Sequence, residues 1–347
     1  RGRSRMPSKK SMLRRHRMAV IAAPMTAVVL CALVVVGVLR FGSIDRQLDA
    51  MEAAEAIPDS ENAAVAYLNF TATYSAPNRD GIERLIEISK IDKCGFPIPR
   101  NRQQIIRSDD FLQDMRDWHR FLNSEINNNL HRDRMREATD ICACIYRMAR
   151  HLRSQSPSSS YYSHGLGFDA VLSLAIKRLI MKGSTTNEHL SALRSVMPPI
   201  QDTWKQDRKR LGQVETLMDR VRLRQIGLFK RVTRSIQRFL SKDTPSPGTF
   251  ESIETRYYRQ LADTRGHYVL VALRQYKNET GRWPGNLDEV RESLTDEMLT
   301  DPHNGEPFFY ELTDEGFRLM STGRNGIDEG GDYKDGDDWL IWPDYWE

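Results

Sequence analysis

Residues 316–342 read GFRLMSTGRNGIDEGGDYKDGDDWLIW. The two ends, GFRLMST and the WLIW that runs into Pro343, are short apolar stretches rich in aromatic and branched residues, and they read as strands. Between them lies a loop without apolar periodicity. There Gly323, Gly326, Gly330, Gly331 and Gly336 are interspersed with Asn325, Asp328, Glu329, Asp332, Asp335, Asp337 and Asp338. A third apolar run, PFFYEL at 307–312, stands just upstream, so the three strands predict a small antiparallel sheet. Before it, Ile253, Tyr257, Leu261, Val269, Leu270, Leu273 and Tyr276 recur at helical spacing. That helix should end at Gly281, which accepts the left-handed cap. Trp283-Pro284 then turns the chain, and Asn286 or Asp288 opens a short helix, LDEVRESL. Helix, short helix and small sheet make an α+β arrangement.

LRQYKNETGRWPGNLDEV, DPHNGEPFFYEL and the stretch quoted first follow one another over roughly residues 265–342. Their order, spacing and Gly-Arg-Trp-Pro, Asp-Pro-x-x-Gly and Ser-x-Gly-x-Asn-Gly signatures resemble the C-terminal domain of the major pseudopilin of type II secretion systems. The resemblance implies a long helix packed on a small sheet and a calcium ion in the loop before the last strand. Carried over by position, Asn325 stands where the family usually has its first Asp. The later acidic pair falls on Asp335 and Asp337 or on Asp337 and Asp338. Asn325, Asp335, Asp337 and Asp338 are therefore the implied Ca²⁺ ligands, with one anionic ligand fewer than the family pattern.

Elementary chemistry points the same way. Ca²⁺ takes six to eight oxygens at about 2.3–2.6 Å, and a flexible, Gly-rich, carboxylate-rich loop can supply them. The alternative is a solvated acidic turn without a metal, since Asn-Gly is itself a common turn dipeptide. The family's other hallmark, a leader ending in Gly followed by a Glu five residues into the hydrophobic helix, has no counterpart here. The chain is accordingly not read as a filament subunit.

Ahead of this domain, SKDTPSPGTF at 241–250 reads as a linker. Residues 40–240 read as a mostly helical ectodomain. Gln47 to Ile57 continues as helix, and Asp59 or Ser60 should cap the next one, through AAVAYLNF. Phe111, Met115, Trp118 and Leu122 mark one amphipathic helix, and Ala138, Ile141, Ile145 and Ala149 another. PSSSYYSHGLG reads as a surface loop before FDAVLSLAIKRLIMKG, which is apolar on most sides and should be central. Thr185 and Glu188 have capping-box spacing. From Lys205 to Arg238 there are 11 Lys or Arg against Asp207, Glu215 and Asp219, with one apolar stripe through Leu211, Val214, Met218 and Val221. This reads as a bundle helix with a wet basic face. The competing reading is a helix lying on anionic lipid.

MAVIAAPMTAVVLCALVVVGVL, residues 18–39, is 22 residues without a charge, long enough to span about 30 Å of hydrocarbon. Eight Lys or Arg and no acid precede it, which keeps an N-terminal tail cytoplasmic and places the body in a periplasmic or extracellular space. A signal peptide would have a shorter apolar region and a nearby small-residue cleavage site. Of 347 residues 39% are hydrophobic and 28% charged, which excludes collagen-like and low-complexity classes. The net charge is +4, but without the tail it is 4 − 8 = −4, so the body carries no basic signature of nucleic-acid binding. In an oxidising compartment Cys94 could bridge to Cys142 or Cys144.

No HExxH, GxSxG or P-loop occurs, and His119, His131, His151, His164 and His189 are scattered. The resulting expectation is a non-catalytic structural or interaction protein of the cell envelope with protein partners. One alternative is association with a type II secretion-like or pilus-like assembly. Another is an envelope enzyme whose site lies in the helical region.

Overall fold

Helix α1 (Ala63–Thr73) starts where the Asn62 side chain accepts a hydrogen bond from Ala64 N, satisfying a donor that the helix itself leaves open. The same side chain also joins Gly95, donating to its carbonyl and accepting from its amide, both at 3.0 Å. This cap is therefore held by tertiary contacts, and it replaces the Asp59 or Ser60 expected from local pattern. In the computed structural model the described residues are 44–74, 76–224, 247–330 and 337–343. Residues 1–54 and 55–347 form two separate units. Of the first unit, residues 44–54 are described, and they are helical.

In the second unit α2 (Arg79–Ser89), α3 (Arg102–His131), α4 (Met135–Arg153), α5 (Ser159–Met181), α6 (Asn187–Val196) and α7 (Trp204–Arg224) follow α1. The apolar spacing read along α3 and α4 is realised, with Phe111, Met115, Trp118, Leu122, Ala138, Ile141, Ile145 and Ala149 all buried. Helix α5 is central, as its apolar circumference implies, but it begins at Ser159, inside the stretch expected to be a loop. Burial of Tyr161 and Tyr162 explains the earlier start, because two aromatic rings gain more by packing than Ser and Gly lose in a helix. Thr186 caps α6 and makes a capping box with His189. Thr185, the expected cap, instead donates its hydroxyl to Leu179 O at 2.6 Å.

Helix α8 (Pro247–Thr280) carries the chain into the sheet. It already covers residues 247–250 of the stretch read as a linker; residues 241–246 lie outside the described residues. Its first half packs Ile253, Tyr257 and Leu261 with Tyr162, Leu166, Trp204 and Leu211. Its second half adds Val269, Leu270, Ala272 and Leu273 to a core that also contains Ile176 of α5, together with Phe317, Leu319 and Ile341 of the sheet. Gly266 permits this close approach, since a Cβ there would sit 2.7 Å from Ile341 side-chain atoms. The helix ends as expected at Gly281, φ +78°, with its amide on Lys277 O at 2.8 Å. Asn286 caps a 3-10 turn over Leu287–Ser293, and α9 (Asp296–Leu299) follows.

Strands β1 (Phe309–Leu312), β2 (Phe317–Ser321) and β3 (Trp339–Trp342) form an antiparallel sheet in that order. Phe309 faces Met320, Leu312 faces Phe317, and a register irregularity at Leu319 and Met320 precedes the pairing of Ser321 with Trp339. The architecture is thus mostly helical with one small sheet, an α+β fold. Among the described residues no helix is long and apolar enough to cross a membrane. The expected span, residues 18–39, lies outside them. Cys94, Cys142 and Cys144 are buried free thiols rather than a bridged pair, and burial pushes the latter two up to about 12.

Candidate metal centre

In the described part of the loop between β2 and β3, Gly323, Gly326 and Gly330 take positive φ, which only glycine adopts cheaply. Gly323 has φ +63°, and a Cβ there would collide with the Asp337 carboxylate, so backbone and acid share one space. The start of the loop is fixed from outside by the Asp-Pro-x-x-Gly turn. Asn304 donates to Thr322 Oγ1 at 3.0 Å and to Gly323 O at 2.8 Å. That turn is itself held by Asp301, whose carboxylate accepts from His303 N at 2.9 Å.

Among the described residues Glu329, Asp337 and Asp338 offer carboxylate oxygens that all lie within 4.8 Å of one another. Asp337 Oδ2 accepts from the amides of Arg324 at 2.7 Å and Asn325 at 3.2 Å. Asp338 Oδ2 accepts from Glu329 N at 2.8 Å, and Glu329 Oε2 accepts from Asp337 N at 2.9 Å. The three acids are thus cross-laced through the backbone. Asp337 Oδ1 is left buried without a hydrogen bond. Two oxygens on one Ca²⁺ can be at most about 5 Å apart, so this spacing is compatible with a shared cation, of whose six to eight places these acids would fill three; exposed acids also lie this close with no ion between them.

Of the expected ligands, Asp337 and Asp338 come together. Asp335 lies outside the described residues. Asn325 is adjacent, but its side-chain oxygen accepts from Ile327 N at 2.8 Å and its amide donates to Glu329 Oε1 at 2.8 Å. It acts here as a brace for Glu329. Glu329 was readable in the loop composition as an oxygen donor, but the spacing carried over from the resemblance passes it by. Asp328, also in that composition, turns away to Arg318 at 3.2 Å.

The five scattered histidines have separate surroundings. His119 stacks on Phe168 at 4.2 Å between centroids, and His151 meets the Tyr67 hydroxyl at 3.1 Å. Burial holds both at about 4. His164 lies against Ser160 O, His189 belongs to the α6 cap, and His131 sits at the end of α3. Sequence reading missed His267, whose Nε2 is 3.0 Å from Ser173 Oγ and whose Nδ1 is 3.4 Å from the Tyr146 hydroxyl. A Ser–His pair at that distance has the geometry of an activated nucleophile. His267 at 0% and Ser173 at 2% exposure are closed off from solvent in this structure. The pair is a packing contact between α5 and α8. No family model, curated protein or solved structure matches this chain.

Proposed function

We propose that this protein is a membrane-anchored, non-catalytic structural or interaction component of the cell envelope, with a pseudopilin-like C-terminal region stabilised by calcium. The convergence of Glu329, Asp337 and Asp338 immediately before the last strand carries this reading. It is supported by the order of a long helix, a 3-10 turn and a three-stranded sheet. The charge-free span at 18–39, behind eight cationic residues, supports an anchor with the body outside the cytoplasm.

Bound there, Ca²⁺ would offset the repulsion among the acids. Glu329, Asp337 and Asp338 would hold it, Asn325 would orient Glu329, and Gly323 would let the Asp337 carboxylate approach the backbone. Metal binding and loop ordering are then linked, and β3 gains from both. Protein partners in the envelope, including a secretion-like or pilus-like assembly, follow from the same resemblance.

The test is thermal unfolding of the detergent-solubilised full-length protein in EDTA and in Ca²⁺. At a hundredfold excess over Kd the ion should add about 2.7 kcal/mol. At about 2 °C per kcal/mol, that raises Tm by several degrees. Asp337→Asn should remove the rise. An identical Tm in both buffers would dispose of the calcium role.

A further inference from the structure

Away from the acidic loop, α4, α7, α8 and the connection from Val196 to Thr203 line a half-open cavity of about 410 Å³. Small-ligand sites run from roughly 300 to 1,000 Å³. Arg147, Arg150 and Arg153 line it from α4, each about 4.5 Å further along the helix axis than the last. Their existing partners leave much of this charge uncommitted. Arg150 pairs with Asp92 at 3.1 Å, but Asp92 is 89% exposed and water screens the pair. Arg153 places one Nη on Asp169 at 3.0 Å, while its Nε is buried without a hydrogen bond. Among the described residues no carboxylate pairs with Arg147. One acid, Asp207, also stands on the cavity wall, where its Oδ2 accepts from the Tyr162 hydroxyl at 2.7 Å and from Thr203 Oγ1 at 2.9 Å and its field reaches Arg153.

Gln260 of α8 lines the same cavity at 5% exposure, and its Nε2 is buried with no hydrogen-bond partner. Folded proteins rarely leave a buried amide donor unmet. The three guanidinium groups and the unpartnered Gln260 Nε2 are donors, and what completes them is an acceptor that carries negative charge. The fork of a guanidinium matches phosphate and carboxylate oxygens two at a time.

We propose that this cavity binds a small organic anion bearing two or more negative charges on phosphate or carboxylate groups. Arg147 and Arg150 read its charge, and Gln260 donates the hydrogen bond that orients it. The inference is independent of the calcium reading, since no residue of the acidic loop takes part.

Isothermal titration of the detergent-solubilised full-length protein with inorganic pyrophosphate and, separately, with citrate tests it at constant ionic strength. One of the two should bind saturably, and which of them binds more tightly assigns the ligand to phosphate or to carboxylate chemistry. Arg147→Gln should weaken that binding about tenfold, or about 1.4 kcal/mol. Arg147 has no ion pair to lose, so the variant should unfold at the wild-type temperature. Gln260→Met should weaken binding as well. Arg208→Gln, at an exposed position on α7 outside the cavity, should leave it unchanged. Failure of both probes to bind more tightly than about 1 mM would overturn the proposal. So would equal weakening by Arg147→Gln and Arg208→Gln, which would mark a diffuse charge effect.

Discussion

Strand β3 stands between two groups of acids that are satisfied in opposite ways. On its helical side, Asp263 of α8 is buried and takes Lys177 Nζ at 3.5 Å and Trp339 Nε1 at 3.1 Å. On its loop side, Glu329, Asp337 and Asp338 converge, and their hydrogen bonds within the group come mainly from backbone amides. The first group contains its own counter-charge and ties α5, α8 and β3 together. The second brings like charges together, and under the proposed function a cation would offset them. Charge is thus paired inside the protein as a fixed staple in one place and gathered without a counter-charge, on exposed to buried acids, in the other.

The comparison breaks most violently at the fixed staple. Asp263→Ala leaves Lys177 buried opposite no acid and Trp339 Nε1 without its acceptor. Removing one partner of a buried pair costs about 3–5 kcal/mol, most of it the uncompensated charge left behind. Adding Lys177→Met should recover most of that loss. Urea unfolding at neutral pH measures both variants. Equal stability of the single and double variants would show that Lys177 reaches water when Asp263 is removed.

The same buried layer makes stability fall with acid. His267 is held neutral at about 4 by desolvation, which outweighs the pull of Asp263; Lys177 opposes its charging further. Unfolded, it titrates near 6.5, so below that pH the unfolded chain binds more protons than the folded one. Its contribution is complete above about 6.5 and is lost progressively as pH falls toward 4, amounting to about 3 kcal/mol for a shift of this size. His119, His151 and His303, also lowered to about 4 by burial, act in the same direction. Asp169, raised to about 6 by burial, works against them between about 4 and 6. The net expectation is a urea midpoint that drops between about pH 7 and pH 5. A flat profile over that range would mean that these imidazoles charge inside the folded protein.

The contrast also explains which parts of the molecule were legible in the sequence. The three strands and the Gly281 cap, and the cap at Asn286 rather than Asp288, depend on short apolar runs and on turn residues acting within a few positions, and the structure forms them there. The Asn62 cap, the Thr186 capping box and the early start of α5 differ, because contacts outside the capping pattern outbid it at each, tertiary ones at Asn62 and α5 and one six residues back at Thr185. Asn62 reaches Gly95, Thr185 turns inward to Leu179, and Tyr161 and Tyr162 pull the expected loop into the helix. His267 had no local signal at all. Its partners Ser173 and Tyr146 are 94 and 121 residues away, and no spacing rule spans such distances. In the acidic loop, composition announced the oxygen donors, yet only the path of the chain selects Glu329 over Asp328.

The smallest expected effect is also the sharpest, because it changes sign. Asn325 braces Glu329 through an amide donor, at the position where the resemblance read from the sequence would expect an Asp. Asn325→Asp replaces that hydrogen bond with two carboxylates facing each other. In EDTA the variant should lose about 1 kcal/mol, the usual net value of one such bond. In Ca²⁺ the new acid becomes an additional anionic ligand, so the variant should bind the ion more tightly and unfold above the wild type. Thermal unfolding of both proteins in the two buffers reads the crossing. A loss of equal size in both would make Asn325 a brace alone and would leave the acids as a surface turn. Position 325 separates the two readings because its residue faces Glu329 while its backbone amide is held by Asp337. A charge placed there acts on the cluster itself and leaves the buried staple on the other side of β3 unchanged.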